Sequence, residues 1–147
     1  MKLDNEALKC HKQLRVYDFP IDLYSKHVSI YVGKTIKEAA AGAMFEYKGL
    51  DLSDIKEGAG GYAIRATNKG LMANIILISI DAAKTDNLLV ICAHESVHIS
   101  WDILDGVGVH LEAENHEAQA YLVDHIFGAC KYAIEHYIKT YKLKIKL

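Results

Sequence analysis

Two apolar runs joined by a short polar break constrain the fold of this chain more than any other feature. Residues 62–67 and 71–80 are rich in aliphatic side chains, and Asn68-Lys69-Gly70 separates them. A break of this length that contains a glycine is typical of a β-hairpin. We therefore expect the middle of the chain to contribute a hairpin to a sheet.

Two segments with helical periodicity follow this hairpin. From about residue 85, apolar side chains recur every three to four positions, and Gly106 is a suitable stop for the helix. Asn115 is positioned to cap a second helix, which we expect to reach Lys139 with a weak point at Gly128. The C-terminal half therefore predicts two long helices in succession.

The N-terminal half predicts one strand and one helix. Residues 15–32 are rich in β-branched and aromatic side chains and indicate a strand that is interrupted near Pro20. Thr35 and Glu38 have the spacing of a capping box, which starts a helix that reaches Tyr47. Residues 48–61 suit a surface loop. The last five residues, LKIKL, fit either an edge strand or a basic tail.

The order strand, helix, hairpin, helix, helix predicts an α+β fold. We expect a small mixed or antiparallel sheet on one side and the helices packed on the other. At 147 residues the chain should form a single domain, residues 1–147, with a sizeable core. About half of the residues are apolar and a quarter are charged, as in ordinary globular proteins.

Composition also excludes several classes of protein. The formal net charge of −2 argues against a protein that binds nucleic acid by bulk electrostatics. The three cysteines (Cys10, Cys92 and Cys130) are odd in number and far apart, so a reducing compartment is the simpler interpretation. The first residues contain acidic side chains where a signal peptide is apolar, and no apolar run has the length of a membrane span. We expect a cytoplasmic, unanchored protein.

The string HESVH lies within the first of the two C-terminal helical segments. It places His94 and His98 four residues apart, so both rings can point from one helix face toward one metal ion. Glu95 is one step around the helix, where it is close enough to take a proton from a metal-bound water. The spacing is that of a zinc hydrolase helix, although histidines that are merely half-exposed would produce the same string.

A hydrolytic zinc site needs a third protein ligand and one open position. The metzincin pattern requires a glycine three residues and a histidine six residues after His98, where this chain has Trp101 and Leu104. Aspartate at the sixth position is excluded too, since Asp102 and Asp105 are four and seven residues on. The remaining common source is a glutamate near the next helix, and the candidates are Glu112, Glu114 and Glu117.

HESVH followed after eighteen residues by the glutamate of NHEAQAY resembles the gluzincin metallopeptidases. The resemblance is closest to very small gluzincin-like proteins, many of them encoded by phages and prophages. It covers about residues 71–127 and implies a zincin-like core, with Glu117 as the third zinc ligand beside His94 and His98. It also implies that the strand over residues 71–80 is the edge strand beside the substrate cleft.

The activity that this resemblance implies is zinc-dependent peptide hydrolysis. A zinc-activated water would attack the peptide bond of a peptide or protein substrate, with Glu95 as general base. Tyr121, one turn after Glu117, is the first candidate for stabilising the oxyanion. Weaker candidates for that role are His116, His110 and Tyr62. A carboxylate that orients a zinc-bound histidine could come from Asp124 or Asp102.

The same residues leave a second function open. The chain has little length for the second lobe that shapes the cleft of larger enzymes, so substrate selection would depend on a protein partner, on oligomerisation or on a restricted target. The alternative is a non-catalytic phage or prophage module that keeps zinc for folding, assembly, regulation or peptide capture. Retention of Glu95 favours hydrolysis, because a structural site has no use for a base and closes with a fourth ligand.

Overall fold

The computed structural model describes residues 13–68, 71–84 and 87–147. Its helices and strands are, in chain order, β1 (Arg15–Ile21), β2 (Lys26–Gly33), α1 (Ile36–Glu46), β3 (Gly61–Asn68), β4 (Leu71–Ser79), α2 (Leu88–Gly106) and α3 (His116–Thr140). Short 3₁₀ turns occupy Asp22–Tyr24 and Ile80–Lys84. Cys10, the centre of the hairpin turn and the expected start of α2 near residue 85 lie outside the described residues.

The four strands form one mixed sheet in the order β1-β2-β4-β3. β1 pairs antiparallel with β2, β2 pairs parallel with β4, and β3 pairs antiparallel with β4. The predicted hairpin is therefore present as β3 and β4. The prediction of an α+β fold with a small mixed sheet is confirmed.

β4 lies in the interior of the sheet, so the prediction that it is the edge strand is wrong. It pairs with β2 on one side and with β3 on the other, and every residue from 73 to 80 is buried. The physical reason is its nearly continuous apolar sequence, which is typical of a strand covered on both faces rather than one that alternates toward solvent. The edge strand of the hairpin is β3.

Helices cover both faces of the sheet, which corrects the expectation that they lie on one side. Ile75 and Leu77 of β4 pack with α1 residues such as Ala39. Ile76 and Ile78 of the same strand point the other way, into a core shared with α2 and α3. Because side chains alternate along a strand, residues 75–78 (IILI) contribute side chains to the core on both faces of the sheet.

Residues 15–32 form two strands rather than one interrupted strand. Pro20 lies inside β1, opposite His27, and the chain reverses after it through the turn at Asp22–Tyr24. Ser25 completes the reversal with a φ of 50°. A proline without an N–H is tolerated in β1 because β1 is an edge strand.

The helix termini match the sequence closely, with one exception. The Thr35 side chain accepts a hydrogen bond from the Glu38 amide at 3.3 Å, and the Asn87 side chain accepts one from the Leu89 amide at 2.9 Å. Asn115 does not cap α3. Its side chain instead accepts from the Glu112 amide and donates to the His110 carbonyl, which orders the connection between α2 and α3. α3 continues without a break through Gly128.

The last five residues do not form the edge strand that their alternation allowed. They are irregular, and Leu143 and Ile145 pack against the core that contains α2 and α3. Within the part of the chain that the structure describes, none of the helices combines the length and the apolar sequence needed to cross a membrane.

Candidate metal centre

His94 and His98 lie side by side on the outward face of α2. Their Nε2 atoms are 3.1 Å apart and their ring centroids are 4.7 Å apart. Both side chains are exposed, because the opposite face of the helix carries the apolar residues that enter the core. Two nitrogens bound tetrahedrally to zinc at about 2.0–2.1 Å would be about 3.3–3.4 Å apart, so this separation fits a shared ion closely.

Glu95 differs from its two histidine neighbours in being buried. Its exposed fraction is 8%, since it turns from the outward face of α2 toward β3. Burial raises the pKa of the Glu95 carboxyl, while His94, His98 and the Ala63 amide N–H, which donates a hydrogen bond to it, lower the pKa. A carboxyl with a raised pKa is better suited to accept and release a proton near neutral pH.

One cavity of about 440 Å³ connects these three side chains. Its remaining walls come from the start of β3 and from the next turn of α2. The lining residues are Gly61, Tyr62, Ala63, His94, Glu95, His98, Trp101 and Asp102. Two histidine side chains, the buried Glu95 and the edge of a sheet therefore line the same space.

The structure does not bring Glu117 to the two histidines. α2 continues for eight residues after His98, about 12 Å of helix, and Glu117 lies beyond that in the first turn of α3. Its side chain is 69% exposed, with its Oε1 3.6 Å from Nε2 of His116. Glu112 and Glu114 are exposed in the connection before α3. Among the described residues, no three His, Cys, Asp or Glu side chains form a group that could hold a metal ion.

The candidate oxyanion donors are distributed over different parts of the molecule. Tyr121 is 72% exposed and lines a separate apolar cavity with His125 and the residues after β1. His110 lines a cavity next to the histidine pair, together with Trp101 and Asp102. Nδ1 of His116 is 2.7 Å from the Ala113 carbonyl oxygen. Of the four candidates, Tyr62 belongs to the lining of the cavity of His94 and His98, but its side chain packs with the cluster around α1 on the opposite face of the sheet.

Asp102 is the second carboxylate residue, besides Glu95, in the lining of this cavity. It is one turn after His98 and half-buried. Burial raises the pKa of the Asp102 carboxyl, and the charges of Arg65 and His98 oppose that rise. Asp124 is exposed and absent from the cavity lining. Asp102 is therefore better placed than Asp124 to orient a histidine ring.

Two neighbours of the motif lie in different environments. Cys92 is fully buried in the core on the inner face of α2. Trp101 is 54% exposed and separates the histidine cavity from the one that contains His110. The Trp101 side chain therefore forms a wall of the candidate cleft.

Sequence reasoning missed the contribution of β3. Gly61 and Ala63 line the cavity, and the Ala63 amide contacts the Glu95 carboxyl. The available signal was the pair Gly60-Gly61 directly before an apolar strand, since glycine at such a position often marks close approach of another part of the chain. From the sequence alone, both glycines fit a surface loop.

Comparison of the chain with protein-family models, with curated proteins and with solved structures finds no match. The site must therefore be interpreted from its own geometry.

Proposed function

We propose that this chain is a zinc-dependent peptidase of a minimal gluzincin-like type, with His94 and His98 as zinc ligands and Glu95 as general base. The observation that carries the proposal is the 3.1 Å separation of the two Nε2 atoms above a cavity that also exposes the Glu95 carboxyl. Bound zinc would supply a Lewis acid that polarises the scissile carbonyl and lowers the pKa of a water. Proton transfer would then fall to Glu95.

The free edge of β3 would bind the substrate. Among the strands that the structure describes, β3 pairs with β4 alone, and its first residues line the cavity of the histidine pair. An extended peptide can add to such an edge through backbone hydrogen bonds. Trp101, at the opposite wall, would contact substrate side chains.

The third ligand remains Glu117 in this proposal, with Asp102 as the competing candidate. Glu117 is supported by its spacing from HESVH and by an exposed side chain, but it would require the connection between α2 and α3 to rearrange. Asp102 is supported by its place in the same cavity. The oxyanion donor stays open, because Tyr121 lines a separate cavity and the Tyr62 side chain packs with the cluster around α1 on the opposite face of the sheet.

The proposal is tested by zinc content and peptide cleavage. The wild-type protein should bind one zinc ion per chain and cleave members of a peptide library. Glu95→Gln should retain the zinc and lose about 10²–10⁴-fold in cleavage rate, as expected when a general base is removed. Zinc retention with no cleavage by the wild type would refute the peptidase and support the non-catalytic zinc module instead.

Two further variants decide the third ligand. If Glu117→Ala loses zinc affinity and Asp102→Ala does not, Glu117 is the ligand. The opposite result would assign the position to Asp102. Glu112→Ala and Glu114→Ala complete the set, because both exposed carboxylates are sequence candidates for the same position, and loss of zinc affinity in either would move the assignment to it.

A further inference from the structure

The pairing register of β3 determines which of its backbone groups face the candidate site. The Ser79 amide donates a hydrogen bond to the Gly60 carbonyl at 2.9 Å, in line with the register that pairs Gly61 with Ile78. In an antiparallel ladder, hydrogen-bonded pairs alternate with pairs that are not hydrogen-bonded. Tyr62 therefore directs its backbone groups to β4, whereas Gly61 and Ala63 direct theirs to the free edge.

Glu95 binds one of these outward groups. The Ala63 N–H donates to the Glu95 carboxylate, which is 92% buried between α2 and the start of β3. An edge amide without a strand partner would otherwise face solvent or a ligand. The Glu95 carboxylate is thus fixed between its own helix and the edge of the sheet.

Gly61 makes this contact sterically feasible. A Cβ atom on Gly61 would lie 3.0 Å from Cγ of Glu95, 3.2 Å from its Oε1 and 2.6 Å from Cγ2 of Ile91. Atoms at these distances must move. β3 cannot withdraw easily, because its other edge is paired with β4 along its whole length. An added methyl group would therefore displace the Glu95 side chain.

We infer that Gly61 is a positioning residue for Glu95: its missing side chain lets β3 approach α2 closely enough for the Ala63 N–H to hold the carboxylate at the cavity. The catalytic consequence rests on the proposed function, whereas the placement of the carboxylate does not. Gly60 provides a matched comparison. A Cβ there would contact Cδ1 of Ile91 at 2.3 Å and Cβ of Ala82 at 3.1 Å, without Glu95 among its nearest neighbours.

Amide hydrogen exchange tests the placement without zinc or substrate. The Ala63 amide should exchange at least about ten-fold more slowly than the outward amides of Arg65 and Thr67. Glu95→Ala and Gly61→Ala should each raise the Ala63 exchange rate toward that of Arg65. The inference is overturned if Ala63 exchanges as fast as Arg65 in the wild type, or if Glu95→Ala leaves its protection unchanged. The Glu95→Ala comparison decides the matter even if Gly61→Ala fails to fold.

Two double variants test the catalytic consequence. Ile91→Ala relieves the clash that either added methyl would cause with Ile91, so it serves as the common parent. Gly61→Ala in this parent should lower kcat by about 3–10-fold, with KM and zinc content unchanged, because the added Cβ lies 3.0 Å from Cγ and 3.2 Å from Oε1 of Glu95 and shifts the catalytic carboxylate. Gly60→Ala in the same parent should keep the kcat of the parent.

Equal losses of kcat in the two double variants would overturn the positioning role, as would a loss confined to KM. Absence of cleavage by the wild type would refute the proposed function instead. The exchange measurement would still decide whether Gly61 places the Glu95 carboxylate, so the two failures are distinguishable.

Discussion

The two edge strands of the sheet, β1 and β3, differ in how side chains cover their outer backbone groups. β1 carries Pro20 and turns aromatic side chains onto α3, where the Tyr17 hydroxyl lies 2.9 Å from Nδ1 of His136 and the ring of Phe19 meets that of Tyr132 edge-on. β3 follows Gly60, begins with Gly61 and presents Gly61 and Ala63 to the histidine cavity. Bulky aromatic side chains cover the edge at β1, whereas the edge at the start of β3 has much less side-chain cover.

The difference shows where the fold keeps backbone groups accessible. Proteins usually protect edge strands, because unpaired N–H and C=O groups attract other extended chains. Proline and an aromatic cluster provide that protection at β1. At the start of β3 the cover is a single carboxylate, Glu95, on the helix that carries the histidine pair. A lightly covered edge beside the His94 and His98 side chains matches the peptide-binding cleft proposed above.

The largest expected difference between the two edges is in zinc affinity. His98→Ala should weaken zinc binding by more than the roughly 10–100-fold that is typical for loss of an outer-shell partner, because it removes a direct ligand. His136→Ala, the matched control, removes an exposed histidine beside β1 and should leave the affinity unchanged. Competition with a chelator of known affinity measures both. Equal affinities in the two variants would contradict the assignment of the site to the β3 edge.

A smaller effect is expected from Tyr17→Phe at the β1 edge. The variant loses the hydrogen bond to His136, so its free energy of unfolding at neutral pH should fall by about 0.5–1.5 kcal/mol. Burial raises the pKa of Tyr17, an effect that the charge of Arg15 opposes and that Tyr141 and Tyr132 reinforce.

This raised pKa gives the Tyr17 prediction a pH dependence. Tyr17 ionises at a lower pH in the unfolded wild type than in the folded wild type. The free energy of unfolding of the wild type therefore falls as the pH rises through about 10, whereas the variant has no ionisable group at position 17 and does not show this loss. Urea unfolding at pH 7 and at alkaline pH should therefore show a narrowing difference. A difference that widens with pH would mean that ionised Tyr17 is favoured in the folded state.

The smallest effect is expected from Arg65→Ala at the β3 edge. Nη1 of Arg65 lies 2.9 Å from Oδ2 of Asp105, and both side chains are partly exposed. Such a pair contributes about 0.2–1 kcal/mol at low salt and less when salt screens it. A double-mutant cycle with Asp105→Asn, measured at two salt concentrations, isolates this coupling. A coupling that is large and insensitive to salt would show that Arg65 does more than pair with Asp105.

Local features of this molecule could be predicted from its sequence. The hairpin, the Thr35 cap and the end of α2 at Gly106 depend on residues that are neighbours in the chain. The close approach of His94 and His98 belongs to the same class, because residues four apart on a helix share a face.

Features that depend on how distant segments pack could not be predicted. β4 lies in the interior because β2 pairs with its second edge, and the paired residues, such as Val28 and Asn74, are 46 positions apart in the chain. The contact between Ala63 and Glu95 depends on the crossing of β3 over α2. The position of Glu117 depends on how α2 and α3 pack against each other. The number of residues between HESVH and Glu117 does not determine that packing. Its role as a ligand therefore stays a prediction.

The inner face of α2 has a consequence for metal loading. Ile99 and Ile103 are buried in the core between the sheet and α3, and the buried Ser96 hydroxyl donates to the Cys92 carbonyl of its own helix at 2.6 Å. The helix is thus anchored by packing that involves neither histidine. Zinc would enter a preformed pair of ligands, so the chain would need ordering only in the irregular connection that brings the third ligand to the site. Chelation should accordingly leave the far-ultraviolet circular dichroism unchanged, and ion exchange should be possible without unfolding.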